Sequence, residues 1–175
     1  MVILLRVMNY IAFYGLWVLC LLAAVAREPL WAVPAVVLYL TVHLLFFSTF
    51  PVKEGILIAL MTVLGGINES VLASLGVVTY TGAYWKGIAW WTLCLWACFG
   101  STYWHAFSWL EGRPMLSAVL GAIVAPICYL SVERAGGVVF SDGRVSALVV
   151  IGALWAVVLP STFALSRRLR CGRWT

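Results

Sequence analysis

The chain has 175 residues, 65% of them hydrophobic and 10% charged, with a formal net charge of +5. With a mean hydropathy of +1.07 it lacks the polar surface that a soluble domain of this length needs, so an integral membrane protein is expected. The basic residues flank apolar stretches and form no basic patch, which makes the lipid bilayer the expected partner and excludes nucleic acid. A hydrocarbon core about 30 Å thick needs about 20 residues of helix rising about 1.5 Å each. Stretches 7–26, 30–50, 55–78, 87–107, 115–132 and 145–165 meet that length. The expected fold is therefore all-α, a polytopic transmembrane helical bundle of about six spans forming a single domain over residues 1–175.

The first stretch ends in Ala24-Val25-Ala26, similar to a signal-peptide cleavage site. It is nevertheless expected to be a retained span, because its apolar length exceeds an h-region of about 7–15 residues and it carries Tyr14 and Trp17. The last span is followed by Arg167, Arg168, Arg170 and Arg173. Positive residues beside spans mark the cytoplasmic side, so this tail is expected inside, and with six spans the N-terminus joins it. Arg6, Lys53 and Arg113 then fall inside, opposite Arg27, Lys86, Arg134 and Arg144.

Spans associate through small residues and through polar groups that must be satisfied internally. At helical period, Thr62, Gly65, Gly66, Glu69, Ala73 and Gly76 share one face of the third span, so Glu69 is expected to point into the bundle. In the fourth span the stripe Cys94, Cys98, Ser101, His105 and Ser108 is expected to pack inward, with Trp96, Phe99, Tyr103 and Phe107 facing lipid. Ser117, Gly121, Ala125 and Cys128 form a small face on the fifth. Pro34, Pro126 and Pro160 are expected to kink their helices. Trp31, Trp85, Trp90 and Trp109 lie near span ends, where an interfacial aromatic belt accounts for them.

Glu69 is the first functional candidate, because a charge at mid-membrane is expensive and usually faces a protein interior. The other interior candidates are Asn9, His43, Asn68, Ser101, Thr102, His105 and Tyr129. Two histidines and a carboxylate invite a metal reading, but His43 and His105 lie near the inner ends of their spans. Glu69 is about 10 Å deeper, too far for bonds of about 2 Å, so neither a metal nor a cofactor is expected. In the loop Ser108-Trp109-Leu110-Glu111-Gly112-Arg113-Pro114, Gly112 permits a tight turn and Pro114 suits the start of a helix. Arg113 there could bind a lipid phosphate or pair with Glu111. Glu133 and Arg134 read as an interfacial pair. There is no phosphate-binding loop, nucleophile elbow or zincin motif.

Segments 9–17 (NYIAFYGLW), 66–80 (GINESVLASLGVVTY) and 105–114 (HAFSWLEGRP), followed by 120–122 (LGA) and 125–129 (APICY), resemble domain-of-unknown-function family 2878. The resemblance covers nearly the whole chain. It implies a multi-pass protein of the bacterial inner membrane with unestablished activity. It also implies an acid at Glu69, commonly aspartate, and a histidine at His105. The family's common neighbours of that histidine, asparagine and serine, are Trp104 and Ala106 here. Family members encoded near fatty-acid-modifying enzymes imply a lipid role.

Three activities are compatible with these residues. One is an enzyme or accessory of membrane-lipid or fatty-acid modification, with Glu69 and His105 as catalytic candidates. The second is a small proton-coupled transporter with Glu69 as its titrating group. The third is a non-catalytic scaffold for other membrane or lipid-modifying enzymes.

Overall fold

The computed structural model describes residues 2–27, 29–85, 87–141 and 143–172. Lys86 and Arg173, used in the charge argument, and the side chain of Trp85 lie outside the described residues. The described residues form six α-helices: α1 (Val2–Val25), α2 (Ala32–Val42), α3 (Pro51–Ser74), α4 (Trp90–Gly100), α5 (Pro114–Arg134) and α6 (Arg144–Cys171). Between α3 and α4 run short strands β1 (Val78–Tyr80), β2 (Ala83–Trp85) and β3 (Ile88–Ala89), and β4 (Val138–Phe140) lies between α5 and α6. β1 pairs antiparallel with β4, Thr79 opposite Val139, which ties the α3–α4 connection to the α5–α6 connection. β2 pairs antiparallel with β3.

Among the described residues four helices, Ile3–Val25, Pro51–Ser74, Pro114–Arg134 and Arg144–Cys171, are long and apolar enough to cross a membrane. Exposed Ile11, Leu38, Val63, Ile123, Val149 and Val157 give the outer surface of the bundle the apolar character of a membrane protein. Two helices fall short of the length expected of them. α2 runs on into a π-helical turn, His43–Phe47, and α4 stops after 11 residues.

The early end of α4 has a local cause. The hydroxyls of Ser101 and Thr102 donate to the carbonyls of Cys98 and Phe99, at 2.7 and 2.6 Å, and compete with the helical ladder. Residues 101–107 are turns, followed by a 3-10 turn at Ser108–Leu110. The helical period therefore does not extend to His105, and the expected faces change. Trp96 and Tyr103, expected to face lipid, are only 4% and 1% exposed, while Phe99 and Phe107 are half-buried. A buried indole N–H and a buried phenol both need partners, and both find them inside. Tyr103 donates to Thr162 at 2.7 Å, and Trp96 donates to Glu69.

The expected inward faces of α3 and α5 hold where Gly65 and Glu69, and Ser117, Gly121 and Ala125, are buried. A Cβ on Gly65 would fall inside the Trp96 ring, and one on Gly121 would strike the Trp155 carbonyl, so these glycines set the approach of α3 to α4 and of α5 to α6. Pro34 sits in the first turn of α2, where it removes no helical bond and gives no cause for a kink. Pro126 and Pro160 lie inside α5 and α6.

The surface pairs differ from the expected ones. Glu111 pairs with Arg170 (3.0 Å), and Glu133 with Arg144 (2.8 Å), because the chain brings α6 alongside both acids. Lys53 donates to the Gly172 carbonyl at 2.8 Å, so the start of α3, the 108–113 loop and the end of α6 share one end of the bundle.

Gly65→Ala should displace the Trp96 ring and destabilise the protein by about 1–3 kcal/mol, the usual effect of overpacking. Thermal unfolding in detergent measures it, and an unchanged midpoint would contradict this account of the α3–α4 contact.

Candidate functional site

α3 carries two buried carboxylates. Glu54 lies in its first turn and Glu69 near its far end, fifteen positions later, so they stand about 22 Å apart along the axis.

Glu69 is 3% exposed. Trp96 of α4 donates to its Oε1 at 2.8 Å, and Asn68 to the same oxygen at 3.1 Å. Tyr129 of α5 donates to the carboxylate, 2.9 and 2.8 Å from its two oxygens, and Tyr80 of β1 donates to Oε2. Four donors from α3, β1, α4 and α5 thus match the four lone-pair positions of a carboxylate. The Trp96 ring stacks on Trp155 of α6, centroids 5.0 Å apart.

This cluster forms part of the wall of a cavity of about 500 Å³. Aromatic side chains from α1 (Tyr10, Phe13, Tyr14, Trp17) line one side, and α5 lines the other from Leu120 to Val132. Twelve positions of α5 correspond to about 18 Å, slightly more than one leaflet of the hydrocarbon core. Tyr10, Tyr14, Val124 and Ile127 are exposed, so the rim opens on the apolar outer surface. Two buried polar atoms of this region make no hydrogen bond among the described residues, Trp155 Nε1 in the lining and Oδ1 of Asn68 beside Glu69.

At the other end of α3, His43 Nε2 and His105 Nε2 each lie 2.8 Å from Glu54 Oε1. The three ligand-type atoms lie within 4.8 Å of one another. His43 and Glu54 are 2% and 1% exposed, and His105 is half-buried. The π turn at the end of α2 presents His43, and the turns after α4 present His105. A polar network holds those turns. Asn9 donates from Nδ2 to the Tyr39 hydroxyl (3.0 Å) and to the Ser101 carbonyl (3.3 Å). The hydroxyls of Tyr39 and Ser101 bond at 3.0 Å, and the Ala106 N–H donates to Asn9 Oδ1 at 3.3 Å.

The candidates read from the sequence therefore divide between two centres. Asn68 and Tyr129 surround Glu69, whereas Asn9 and Ser101 brace the two histidines. Thr102 is buried but bonds only its own turn, and the Arg113 side chain is exposed on the 108–113 loop, without a polar partner among the described residues. The depth argument separated the histidines from Glu69, but it passed over Glu54, the carboxylate that meets them. Glu54 follows Lys53 at the start of α3 and was not among the candidates. Only six acids and two histidines occur in the chain, and an acid eleven positions after His43 was the available signal. Trp96 and Tyr80 were missed as well, the first because only the small-residue stripe of its helix was taken as buried, whereas α4 packs against α1, α2 and α3.

Tyr129→Phe leaves Glu69 one donor short, and a hydrogen bond to a charged group contributes about 1.5–3 kcal/mol. The variant should unfold at lower temperature than wild type, and equal unfolding midpoints would mean that this bond contributes nothing.

No curated protein and no solved structure matches the chain at a significant level. A family model, described as protein of unknown function (DUF2878), matches residues 6–161, and the chain belongs to that family.

Proposed function

We propose that the chain is a six-crossing protein of the bacterial cytoplasmic membrane, with both termini inside. In this reading it holds a lipid acyl chain in the aromatic cavity and serves membrane-lipid or fatty-acid modification. The observation that carries this reading is the cavity itself. It is lined almost wholly by aromatic and aliphatic side chains, about a leaflet long, open at its rim to the apolar surface, and polar mainly at the Glu69 cluster. An acyl chain entering sideways would lie against Phe13, Trp17 and Val124, and a carbonyl or hydroxyl oxygen could accept from the Trp155 N–H in the lining.

The proton-carrier reading is less well supported. Four donors aimed at Glu69 fix it as a structural acceptor, whereas a carrier must release and rebind protons as its partners change. α2 with its π turn, and α4 with the turns after it, are taken to complete six crossings. Short or irregular backbone at membrane depth is tolerated where protein buries it.

Mass-spectrometric profiling of membrane lipids from cells lacking the protein tests the function. A lipid species should change on deletion and be restored by wild type. Glu69→Gln should restore it poorly, since the new amide N–H₂ faces donors and leaves one unsatisfied, a loss of about 1–3 kcal/mol. An unchanged lipid profile on deletion would contradict the proposal. Orientation is tested at Cys171, the one exposed cysteine among the five. A membrane-impermeant thiol reagent should label it only after cells are opened, and labelling of intact cells would reverse the topology.

A further inference from the structure

We propose that His43, Glu54 and His105 form a binding site for a first-row divalent cation of the zinc or ferrous type. Two imidazole nitrogens and one carboxylate oxygen are a donor set that both ions take, zinc in tetrahedral sites with a water or substrate in the fourth position, iron in facial triads. The convergence is specific. Both imidazoles use Nε2, and both approach the same Oε1 at 2.8 Å. Three atoms bonded at about 2.1 Å around a tetrahedral ion stand about 3.4 Å apart, so insertion of the ion requires each imidazole to draw back about 0.6 Å from Oε1 and the set, now within 4.8 Å, to even out around it.

Three further observations point to a ligand here. First, the two histidines stand on the two irregular stretches of the bundle, the π turn His43–Phe47 and turns 101–107. π turns within helices recur at functional sites, and non-helical backbone at membrane depth is retained where it lines an interior. Second, the ring orientations are fixed before any ion arrives. His43 lies 5.8 Å from Tyr39 and 6.5 Å from Phe47, centroid to centroid, and the His43 and His105 rings meet edge to face at 4.8 Å. The Asn9–Tyr39–Ser101 network bonds the backbone next to His105. Third, the buried hydroxyl of Ser48, at the end of the π turn, lies beside Glu54 and has no other hydrogen-bond partner among the described residues. A metal-bound water would give it a second one.

The charges also balance better with an ion. Glu54 is a buried carboxylate whose nearest polar partners are two imidazoles, and a divalent cation supplies the opposite charge directly. The half-buried side of His105 leaves a way in for the ion and an open position for water or an anionic oxygen.

The test uses the full chain, purified in detergent, stripped with a chelator and dialysed. Zn²⁺ and Fe²⁺ are added separately, the latter without oxygen, and bound metal is measured by elemental mass spectrometry. One equivalent of one of these ions should bind. Co²⁺ should give the visible bands of a site with nitrogen and oxygen ligands, and metal should raise the unfolding temperature of the stripped protein. His43→Gln and His105→Gln should each weaken binding at least about 10-fold, the smaller end of what even outer-shell changes do. Should either variant fail to fold, Glu54→Asp keeps a carboxylate and should still shift the Co²⁺ bands. Binding below one equivalent by wild type would overturn the proposal, as would affinity and Co²⁺ bands indifferent to all three substitutions. This outcome is independent of the lipid proposal, since it is read on the protein alone.

Discussion

A buried carboxylate in a membrane helix must find its hydrogen-bond donors within the protein, and α3 carries two such groups at opposite ends. Much of the fold follows from meeting that demand twice. At Glu69 the donors come from α4, α5 and β1 as well as from the neighbouring Asn68. To deliver the Trp96 indole, α4 must lie close against α3, which the bare backbone at Gly65 permits. To deliver Tyr80, the chain must turn back after α3, and pairing of β1 with β4 holds that turn. At Glu54 the partners come from the ends of α2 and α4, and both ends depart from α-helix to supply them.

The two centres differ in kind. The Glu69 cluster is saturated with donors and forms part of a long apolar cavity, so its chemistry is that of a fixed polar point in an oily cleft. The Glu54 cluster is small, convergent and braced by a second ring of polar side chains. Its end of the bundle also carries Lys53 and the basic end of α6. A protein that handles an amphipathic molecule needs both an apolar cleft and a polar centre, and this bundle holds one of each kind within about the thickness of a membrane.

The all-α class, the helix order and the inward face of α3 were legible in the sequence because long apolar stretches and small-residue faces are local signals. The lengths of α2 and α4 were not. Hydropathy does not distinguish a helix from an apolar stretch in which Ser101 and Thr102 hydroxyls take over backbone carbonyls. That misreading carried Tyr103 to the wrong side, whereas Trp96 was hidden because α4 is packed against α1, α2 and α3 and buries more than its small-residue stripe. Glu54 was hidden for another reason. Nothing local marks the acid beside Lys53 as buried, and only the tertiary structure brings His43 and His105 to cover it.

The central claim, that the aromatic cavity holds an acyl chain, is tested most directly by photo-crosslinking in lipid bilayers. The protein would be reconstituted with a phospholipid carrying a diazirine near the end of one acyl chain, irradiated, digested and mapped by mass spectrometry. The account predicts adducts concentrated on cavity-lining residues such as Phe13, Trp17, Leu95 and Val124. It also predicts that an unlabelled lipid competes for those adducts and leaves those on the outer surface, at Val63 and Val157, unchanged. Adducts spread evenly over the outer apolar surface, with none in the cavity, would contradict it.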